Sequence, residues 1–394
     1  MEASPRLGGL IETRIIQDCV VESGPDSFLT AKPEARLLAE ELGLGGELIG
    51  SNDHQRATYI WRGGRLVRMP DGMTMMVPSK LIPLLRSDLL SWPGKFRAGF
   101  DLFRRPTGPL NDRSIAEFVG DHFGREVLDY IAEPMLAGVY GGDPAQMSAL
   151  SVTPKFVEWE SKYGSLTRAA RAEVQPAGRS LFTTFKRGMQ SLVDRIVEAI
   201  QPEVIHGRIE AVEKGWRVRV NGEWIEARHL VVACRPAAVL PNLFPEISFN
   251  PARVVALGYR KADIPSFYGF GFLVPKVERQ RISAVTWVPN KFEHRVPEDK
   301  ILLRCFTTGA PADIEHELKE KLGIAASPLF QQETSWEQAM PLYEVGHAMK
   351  VVIIEEMLED FPGLHVAGNA YYGVGIPDCI RMGKKVAEKI ATAS

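Results

Sequence analysis

The sequence predicts a mixed α/β (α+β) fold from the order of its predicted elements, and its length and hydrophobic content predict more than one domain, each with its own core. At about 150 residues per domain, a chain of 394 residues corresponds to two or three domains. Hydrophobic residues make up 45% of it, so each domain can bury a core of its own. Strand-like and helix-like runs alternate along the chain, which is typical of sheets covered by helices.

The first fifty residues predict one extended segment followed by one helix. Ile11–Glu22 carries several β-branched residues and is predicted to be extended. Gly24–Ser27 is a turn cluster. Pro33–Leu42 is predicted to be a helix, with Thr30 as its N-cap and Gly43 at its C-cap position.

A hairpin and then a long helical block are predicted next. Tyr59–Pro70 has two strand-like halves around Gly63–Gly64. From Ser79 to about residue 179 the pattern is helical, with Asn111 or Asp112 as the cap of one helix and Glu117 supporting it. The predicted helices of this block are 81–90, 96–103, 114–123 and 125–136.

The second half of the chain alternates between strands and helices. Gln190–Ile200 is an amphipathic helix, and alternating strands surround the Asn221–Gly222 turn. Leu230–Ala233 is continuously apolar, as expected of a strand buried on both faces. Further strands are predicted at 254–260, 271–275, 282–288 and 301–307. The chain then shows a strand at 364–367 and a helix at 379–391.

Aromatic residues recur in the first part of the helical block, beside basic ones. Trp92, Phe96, Phe100 and Phe103 are the large rings of this segment. Packing against the rest of the protein is the favoured interpretation, and contact with a membrane surface is the alternative.

Charge and motifs exclude several classes of protein. With 47 basic and 49 acidic residues the net charge is -2, which argues against a nucleic-acid binder that depends on a basic field. No apolar stretch approaches the length of a transmembrane helix, and the N-terminus lacks the pattern of a targeting signal, so a cytoplasmic location is expected. The four cysteines form no CxxC pair, and no metal site is expected. An organic cofactor is therefore the predicted source of chemistry.

The strand, glycine-rich turn and helix near the C-terminus form the most informative motif. Gly373–Asp378 links the strand to the helix. Glycines allow a ligand to approach the backbone, and the free N–H groups at the start of a helix favour an anionic atom. Near residue 2, an acidic residue followed by Ser4-Pro5-Arg6 and Gly8-Gly9 is typical of the strand end that binds a ribose in a dinucleotide-binding unit.

Several segments together resemble one known family. They are Glu2–Gly9, Gly24–Leu29, Glu133–Asp143, Trp336–His347 and Gly373–Cys379. In these segments, and from residue 2 to about 390, the chain resembles the protoporphyrinogen/coproporphyrinogen oxidases of haem biosynthesis. The resemblance implies an FAD enzyme that removes six electrons from a porphyrinogen and passes them to O₂.

The resemblance also assigns cofactor residues and an architecture. A discontinuous Rossmann-type FAD domain is expected at 1–50, 181–235 and 346–394, an antiparallel-sheet substrate domain at 51–78 and 236–345, and a helical domain at 79–180. The residues implied to bind FAD are Glu2 and Ala3 at the adenosine ribose, Arg6 at the pyrophosphate, Gly24, Pro25, Asp26 and Ser27 along the flavin, Ile209 at the adenine, and Trp336, Val374, Gly375 and Ile376 over the flavin's far side.

Substrate contacts are expected at Gly138 and Tyr140, in a small glycine-rich motif that suits a flat macrocycle. Arg68 is the candidate for a substrate propionate, with Arg65 as its neighbour, because Asp71 stands where some relatives have a basic residue. No catalytic acid or base is expected. Coproporphyrinogen is favoured over protoporphyrinogen, and a homodimer is left open.

One departure from the family is expected to affect the cofactor. The strand, GxGxxG turn and helix that precede the ribose-binding Glu in such proteins are absent, which predicts a true start some tens of residues upstream and weakened FAD binding by this chain. Two alternatives stay open: an amine oxidase-like flavoenzyme, and an inactive fragment that no longer binds flavin.

Overall fold

A computed structural model describes residues 1–106, 108, 111–173, 180–213 and 215–393. The predicted end of the helical block, near residue 179, lies outside the described residues. The described chain contains a large mixed sheet, several small sheets and a block of helices, which confirms the predicted mixed α/β class.

The strands, in chain order, are β1 (Thr13–Ile16), β2 (Cys19–Glu22), β3 (Phe28–Leu29), β4 (Leu48–Gly50), β5 (Thr58–Arg62), β6 (Arg65–Arg68), β7 (Met73–Thr74), β8 (Val77–Pro78), β9 (Phe182–Phe185), β10 (Ile209–Glu213), β11 (Arg217–Val220), β12 (Glu223–Glu226), β13 (Leu230–Val232), β14 (Phe249–Arg260), β15 (Gly271–Leu273), β16 (Ile282–Trp287), β17 (Lys300–Thr307), β18 (Phe330–Pro341) and β19 (Leu364–Val366).

The helices are α1 (Glu34–Glu41), α2 (Leu81–Arg86), α3 (Trp92–Gly99), α4 (Ile115–Phe123), α5 (Arg125–Val127), α6 (Glu133–Tyr140), α7 (Ala149–Val152), α8 (Pro154–Tyr163), α9 (Leu166–Ala172), α10 (Gln190–Ile200), α11 (Val288–Lys291), α12 (Pro311–Leu322), α13 (His347–Glu359) and α14 (Ile376–Ala393). A 3-10 turn at Phe100–Phe103 follows α3, and a π-helical turn at Leu128–Ala132 joins α5 to α6.

The largest sheet has seven strands in the order β18-β14-β17-β16-β15-β5-β6. Its neighbouring pairs are antiparallel except β15 with β5, which are parallel. Ile60 and Val67 on one face pack with the helical block, whereas Tyr59 and Leu66 on the other face pack with the core under α12. The sheet therefore forms one wall of two separate hydrophobic cores. The division of the chain into domains stays a prediction.

The predicted extended segment at 11–22 folds back on itself, so the prediction of a single strand is wrong. Strands β1 and β2 pair as an antiparallel hairpin, with Ile16 opposite Cys19. Gln17 and Asp18 form its turn with φ of 48° and 64°. Asp tolerates the left-handed region, but no glycine marks this turn, which explains why the residue pattern did not reveal it.

Two parallel strand contacts join the N-terminal and C-terminal segments to the middle of the chain. Strands β13 and β19 pair in parallel, with Leu230 opposite Leu364. Glu2 forms an isolated parallel bridge with His206. Val231 is 41% exposed, so the prediction that this strand is buried on both faces is wrong.

Helix α3 presents its aromatic rings to solvent, and the favoured prediction that these rings pack on the protein is wrong. The exposed fractions are 63% for Trp92, 71% for Phe96, 63% for Phe100 and 79% for Phe103. The buried face of α3 instead consists of small or long side chains, namely Gly94, Lys95 and Ala98. A Cβ on Gly94 would lie 1.8 Å from a Glu126 carboxylate oxygen, so any other residue at this position would displace the Glu126 side chain. A helical period shows that one stripe is apolar but not which neighbour covers it.

Helix α4 begins at a complete capping box. Ser114 Oγ accepts a hydrogen bond from the Glu117 N–H at 3.2 Å, and the Glu117 carboxylate accepts one from the Ser114 N–H at 3.0 Å. The predicted support from Glu117 is confirmed, but the cap is Ser114 rather than Asn111 or Asp112. The helix predicted at 125–136 continues further than expected, because α6 ends at Tyr140, where Gly141 adopts the left-handed conformation.

Candidate functional site

The turn after β2 lies between strands that come from distant parts of the chain. The indole N–H of Trp336 donates a hydrogen bond to the Ser23 carbonyl at 2.9 Å, and Arg304 donates one to the Gly24 carbonyl at 2.6 Å. A Cβ on Gly24 would lie 1.8 Å from the Leu10 carbonyl oxygen. The structure thus places Trp336 beside this turn, and the close approach to Leu10 explains why glycine is needed at position 24.

Asp26 in this turn is held by two cations. Its carboxylate lies 2.9 Å from the Lys291 ammonium and 3.3 Å from the Arg304 guanidinium, and Ser27 Oγ donates to it at 2.7 Å. Burial alone would raise the pKa of Asp26, but Lys291 and Arg304 hold it well below its ordinary value. Asp26 is therefore ionised and fixes the turn, and Pro25 beside it is half-buried.

The N-terminal residues form a second part of the site. The Glu2 carboxylate accepts a hydrogen bond from the Ser4 N–H at 2.8 Å, and Glu2 bridges the segment that leads into β10, where half-buried Ile209 stands. Ala3 is exposed. Glu2 therefore lies beside His206, in the segment that leads into the strand of Ile209.

Arg6 connects this segment to Trp336. Its guanidinium carbon lies 5.9 Å from the centre of the Trp336 ring. The guanidinium also donates to the carbonyls of Leu7 and Ile11, at 3.1 and 2.7 Å, and to the Gly9 carbonyl. Arg6 thus stabilises its own glycine-containing loop while one face of its cation meets the aromatic ring.

The glycine-rich turn before α14 wraps around Asp378, which is only 4% exposed. Lys32 and Arg381 each donate to the Asp378 carboxylate at 2.5 Å. A Cβ on Gly373 or Gly375 would lie 2.6 or 3.1 Å from that side chain. The glycines therefore let the backbone of 373–376 fold closely over the buried Asp378 carboxylate, with Val374, Gly375 and Ile376 half-buried around it.

Tyr343 is a residue of this region that the sequence did not reveal. Its hydroxyl donates to the Asn369 carbonyl at 2.7 Å and accepts from the Gly373 N–H at 2.9 Å. Its ring lies 6.4 Å from that of Tyr140. Trp336–His347 was singled out as a family segment, but no local pattern indicates that this tyrosine contacts the glycine-rich turn.

Tyr140 lies close to that same turn, because its ring is 6.4 Å from that of Tyr343, which accepts the Gly373 N–H. Tyr140 and Val374 both pack against the rim of the helical-block core, as does Leu273, the side chain that a Cβ on Gly138 would contact at 3.7 Å. Burial, with a smaller contribution from Asp378, raises the pKa of Tyr140 to about 12, so its hydroxyl keeps its proton at neutral pH. Tyr140 of the predicted substrate motif therefore lies near the predicted flavin turn, whereas Gly138 lies against Leu273.

Arg68 does not join this group. Val67 faces the helical block and Leu66 faces the other core, so Arg68 shares the face of Leu66 by strand alternation. Its guanidinium pairs with Asp71 at 3.1 Å. Together with Arg65 and Arg86 it lines an open groove of about 340 Å³ at the sheet edge.

The described residues fit a flavin cofactor. Ser23 Oγ, beside Gly24, is a buried hydroxyl with no hydrogen-bond partner among the described residues, and it can accept or donate to a ligand at this turn. Gly24 allows the backbone to pack closely against Leu10, and Gly373 and Gly375 allow it to pack closely against Asp378. The arrangement of two glycine turns, a cation over an indole and a bridged acidic residue is that of a dinucleotide-dependent oxidoreductase.

Comparison with known proteins identifies the family. Residues 1–391 match the model of the flavin-containing amine oxidoreductases, and the chain belongs to that family. This membership confirms the predicted oxidoreductase class and the predicted FAD cofactor.

Among individual proteins, the chain is similar to coproporphyrinogen III oxidases and protoporphyrinogen oxidases. The chain is 30% identical to the coproporphyrinogen III oxidase of Bacillus subtilis (strain 168), over 100% of this chain and 91% of the relative. It is 28% identical to the coproporphyrinogen III oxidase of Staphylococcus aureus, over 99% and 92%. The chloroplastic protoporphyrinogen oxidase of Nicotiana tabacum is 24% identical, over 99% of this chain and 80% of the relative. The predicted family resemblance is therefore confirmed.

Solved structures show the same fold. A crystal structure from Exiguobacterium sp. 255-15, assigned provisionally as a protoporphyrinogen oxidase, superposes with a TM-score of 0.87 at 27% identity, covering 100% of this chain and 92% of the other. Reduced UDP-galactopyranose mutase superposes with a TM-score of 0.72 at 15% identity, covering 100% of this chain and 88% of the other, which shows a shared fold alone.

Proposed function

We propose that the protein oxidises a porphyrinogen to the corresponding porphyrin with bound FAD, and that O₂ accepts the electrons. Coproporphyrinogen III is the favoured substrate and protoporphyrinogen IX the next. The porphyrinogen loses six hydrogen atoms in three two-electron steps, and each step reduces one O₂ to one H₂O₂. The observation that carries the proposal is the full-length similarity to two bacterial coproporphyrinogen III oxidases.

Bound FAD would be held by Glu2 at the ribose, Arg6 near the pyrophosphate, the Gly24–Ser27 turn along the flavin and Val374–Ile376 on its far side. FAD supplies a two-electron acceptor for a hydride from a meso carbon. The protein's residues bind and orient the macrocycle and exclude water, because the substrate C–H bonds are already activated by the neighbouring pyrroles. Tyr140, protonated at neutral pH, offers a hydrogen-bond donor and an aromatic surface to the macrocycle.

Substrate carboxylates need cationic contacts. Arg68 is proposed for a propionate that reaches the outer groove, where Arg65 and Arg86 also lie. Arg65 pairs with Asp88 at 3.0 Å and Arg68 with Asp71 at 3.1 Å, so a propionate would have to displace a carboxylate already in place. Arg68→Ala should therefore raise KM for coproporphyrinogen III, which carries four propionates, more than for protoporphyrinogen IX, which carries two.

The proposal is tested with purified, FAD-loaded protein and three substrates. Porphyrin fluorescence should rise with coproporphyrinogen III, more slowly with protoporphyrinogen IX, and three H₂O₂ should form per porphyrin. A monoamine should give no H₂O₂. Turnover of the amine alone would favour the amine oxidase alternative, and a colourless protein that takes up no FAD would favour the inactive fragment.

A membrane surface is the second partner that we propose. Trp92, Phe96, Phe100 and Phe103 form an exposed aromatic face at helical spacing. Arg105 is exposed in the same segment, and exposed Arg86 lies in the preceding helix. An apolar stripe beside cations is typical of a surface that rests on anionic lipid. None of the helices in the described residues combines the length and apolarity of a membrane-spanning segment.

Sedimentation with vesicles tests this surface. The protein should co-pellet with vesicles of anionic lipid at low salt, and Phe96→Ser with Phe103→Ser should abolish binding while porphyrinogen turnover in detergent-free buffer persists. Val277→Ser, at a site 55% exposed elsewhere, is the matched control. Absence of co-pelleting at low salt would end this part of the proposal.

We also propose a cytoplasmic location, which cell fractionation measures, and a homodimer, which sedimentation velocity measures.

A further inference from the structure

Tyr343 and His347 form a stacked pair that is almost fully buried. Their ring centroids lie 4.0 Å apart with planes 13° from parallel, and each side chain is 2% exposed. The pair lies where the chain passes from β18 into α13: Tyr343 is in the connection between them, and His347 is the first residue of the helix. Neither ring has a direct role in the proposed reaction.

The pair ties the glycine-rich loop between β19 and α14 at three backbone atoms. Tyr343 Oη contacts the Asn369 carbonyl at 2.7 Å and the Gly373 N–H at 2.9 Å. His347 Nε2 lies 3.2 Å from the Tyr371 carbonyl. Because a carbonyl only accepts, Nε2 carries the proton and donates it. Every second residue from 369 to 373 is thereby held by one of the two rings.

Both rings are neutral at physiological pH. Burial lowers the pKa of His347, with the Tyr371 carbonyl opposing and Lys350 assisting. Burial raises the pKa of Tyr343. The three hydrogen bonds therefore need no charge, and they persist across the neutral range.

Tyr343 also contacts the proposed substrate side. Its ring lies 6.4 Å from the Tyr140 ring at the end of α6, with planes 55° apart. One side chain therefore touches both the residue proposed to meet the macrocycle and the loop proposed to cover the flavin.

We infer that Tyr343 is a positioning residue: with His347 it fixes residues 369–373 against the flavin, and it links that loop to substrate bound at Tyr140. The inference rests on the proposed function for the substrate side, whereas its loop and cofactor side stands on the hydrogen bonds above. Tyr343 itself transfers no proton or electron.

The first test measures amide hydrogen exchange of the loop in the absence of substrate. In Tyr343→Phe the ring and its stacking stay while both hydrogen bonds of the hydroxyl are lost. Amide hydrogen exchange in the peptide that spans 368–375 should become about tenfold faster, with little change elsewhere. Tyr259→Phe, at another tyrosine that is 1% exposed but lies in the core under α12, is the matched control and should leave that peptide unchanged.

The second test measures FAD binding, the flavin's absorption and reduction potential, and turnover. Tyr343→Phe should raise the Kd for FAD severalfold and shift the flavin absorption bands and reduction potential, and His347→Phe should do so more weakly because it loses one bond. With coproporphyrinogen III, kcat should fall about tenfold with KM changed less than kcat, as expected for a group that orients rather than binds.

Wild-type exchange at 368–375 together with a wild-type flavin spectrum in Tyr343→Phe would overturn the inference. If the wild-type protein binds FAD but oxidises no porphyrinogen, the proposed function fails. The exchange and Kd measurements would then still decide the loop role of Tyr343.

Discussion

The Glu22 carboxylate and the Arg295 guanidinium lie 2.6 Å apart, and both side chains are only 2% exposed. The same carboxylate accepts hydrogen bonds from the Met189 N–H at 2.9 Å and from Thr13 Oγ1 at 2.7 Å. This ion pair joins β2 to the loop before β17 and to the start of α10, directly behind the proposed flavin turn.

Removing one partner of this pair should destabilise the protein strongly. Arg295→Met leaves an uncompensated buried carboxylate, so the free energy of unfolding should fall by about 3–5 kcal/mol. Urea denaturation of the variant measures it. The double variant Glu22→Gln with Arg295→Met should recover part of the loss, and a single variant within 1 kcal/mol of wild type would contradict the prediction.

A large side chain at position 138 should hinder substrate binding without changing flavin binding. Gly138→Leu places a large side chain on an exposed surface beside Leu273, where the macrocycle is proposed to lie. KM should rise or turnover vanish while flavin content stays at the wild-type level. Gly138→Ala, whose Cβ meets Leu273 at an ordinary 3.7 Å, is the mild control. Unchanged kinetics in the Leu variant would place the macrocycle elsewhere.

Stability at acid pH should depend on two carboxylates, Asp101 and Glu160, that a buried histidine joins. His122 lies 2.6 Å from Asp101 and 3.0 Å from Glu160, and Arg113 pairs with Glu160 at 2.6 Å. Burial alone would raise the pKa of Asp101, but hydrogen bonds from His122 and Thr167 hold it below its ordinary value. The pKa of Glu160 is likewise lowered, by His122 and Arg113 against burial.

A carboxyl whose pKa is lower in the folded state contributes stability that is fully present above its unfolded pKa of about 4. That stability is lost as the pH falls through the folded pKa. Tm should therefore drop as pH is taken from 5 to below 4, and Asp101→Asn should be less stable at pH 6 with a shallower drop. Parallel Tm curves for the two proteins would show that Asp101 does not carry this dependence.

Two glycines should respond to alanine with opposite signs. Gly24→Ala would place a Cβ 1.8 Å from the Leu10 carbonyl, so both flavin content and stability should fall. Gly383→Ala, in an exposed turn of α14 with nothing within 4 Å of the new Cβ, should stabilise by about 0.5–1 kcal/mol. Thermal unfolding and flavin absorbance measure both. An unaffected Gly24→Ala protein would show that this turn can move.

The capping box of α4 offers a smaller, local effect. Ser114→Ala removes the oxygen that accepts from the Glu117 N–H, and stability should fall by about 1 kcal/mol. Ser283→Ala, at a half-buried strand position, is a control without a helix start. Equal losses in the two variants would argue against a specific capping contribution.

Sequence reasoning succeeded where a local pattern carries the information. Asn221 and Gly222 have φ of 51° and 81°, the two positive values that an Asn-Gly hairpin turn requires. Helix α10 spans Gln190–Ile200 as its amphipathic pattern predicted. The Glu-Pro-Met-Leu-Ala-Gly-Val-Tyr segment led to the correct family.

The contacts that organise the site could not be predicted in this way, because they join distant residues. Tyr343 meets partners 26 and 30 residues away, and Arg304 meets Gly24 at a separation of 280. Helix α13 was not predicted either. Val352 and Ile353, 45% and 38% exposed, interrupt the one-sided apolar stripe that marks a helix.

The parallel pairing of Leu230 with Leu364 has a consequence for the order of assembly. During synthesis the helical block and all seven strands of the largest sheet emerge before β19 and α14 exist. Strand β13 therefore has no partner strand until residues 364–366 have been made. Contacts of such long separation slow folding, and unpaired strand edges invite association between nascent chains. The segment that contains β19 and α14 thus sets the moment at which a newly made molecule can acquire its cofactor region, and a ribosome that stalls shortly before this segment would leave a chain with a formed sheet and an unpaired β13.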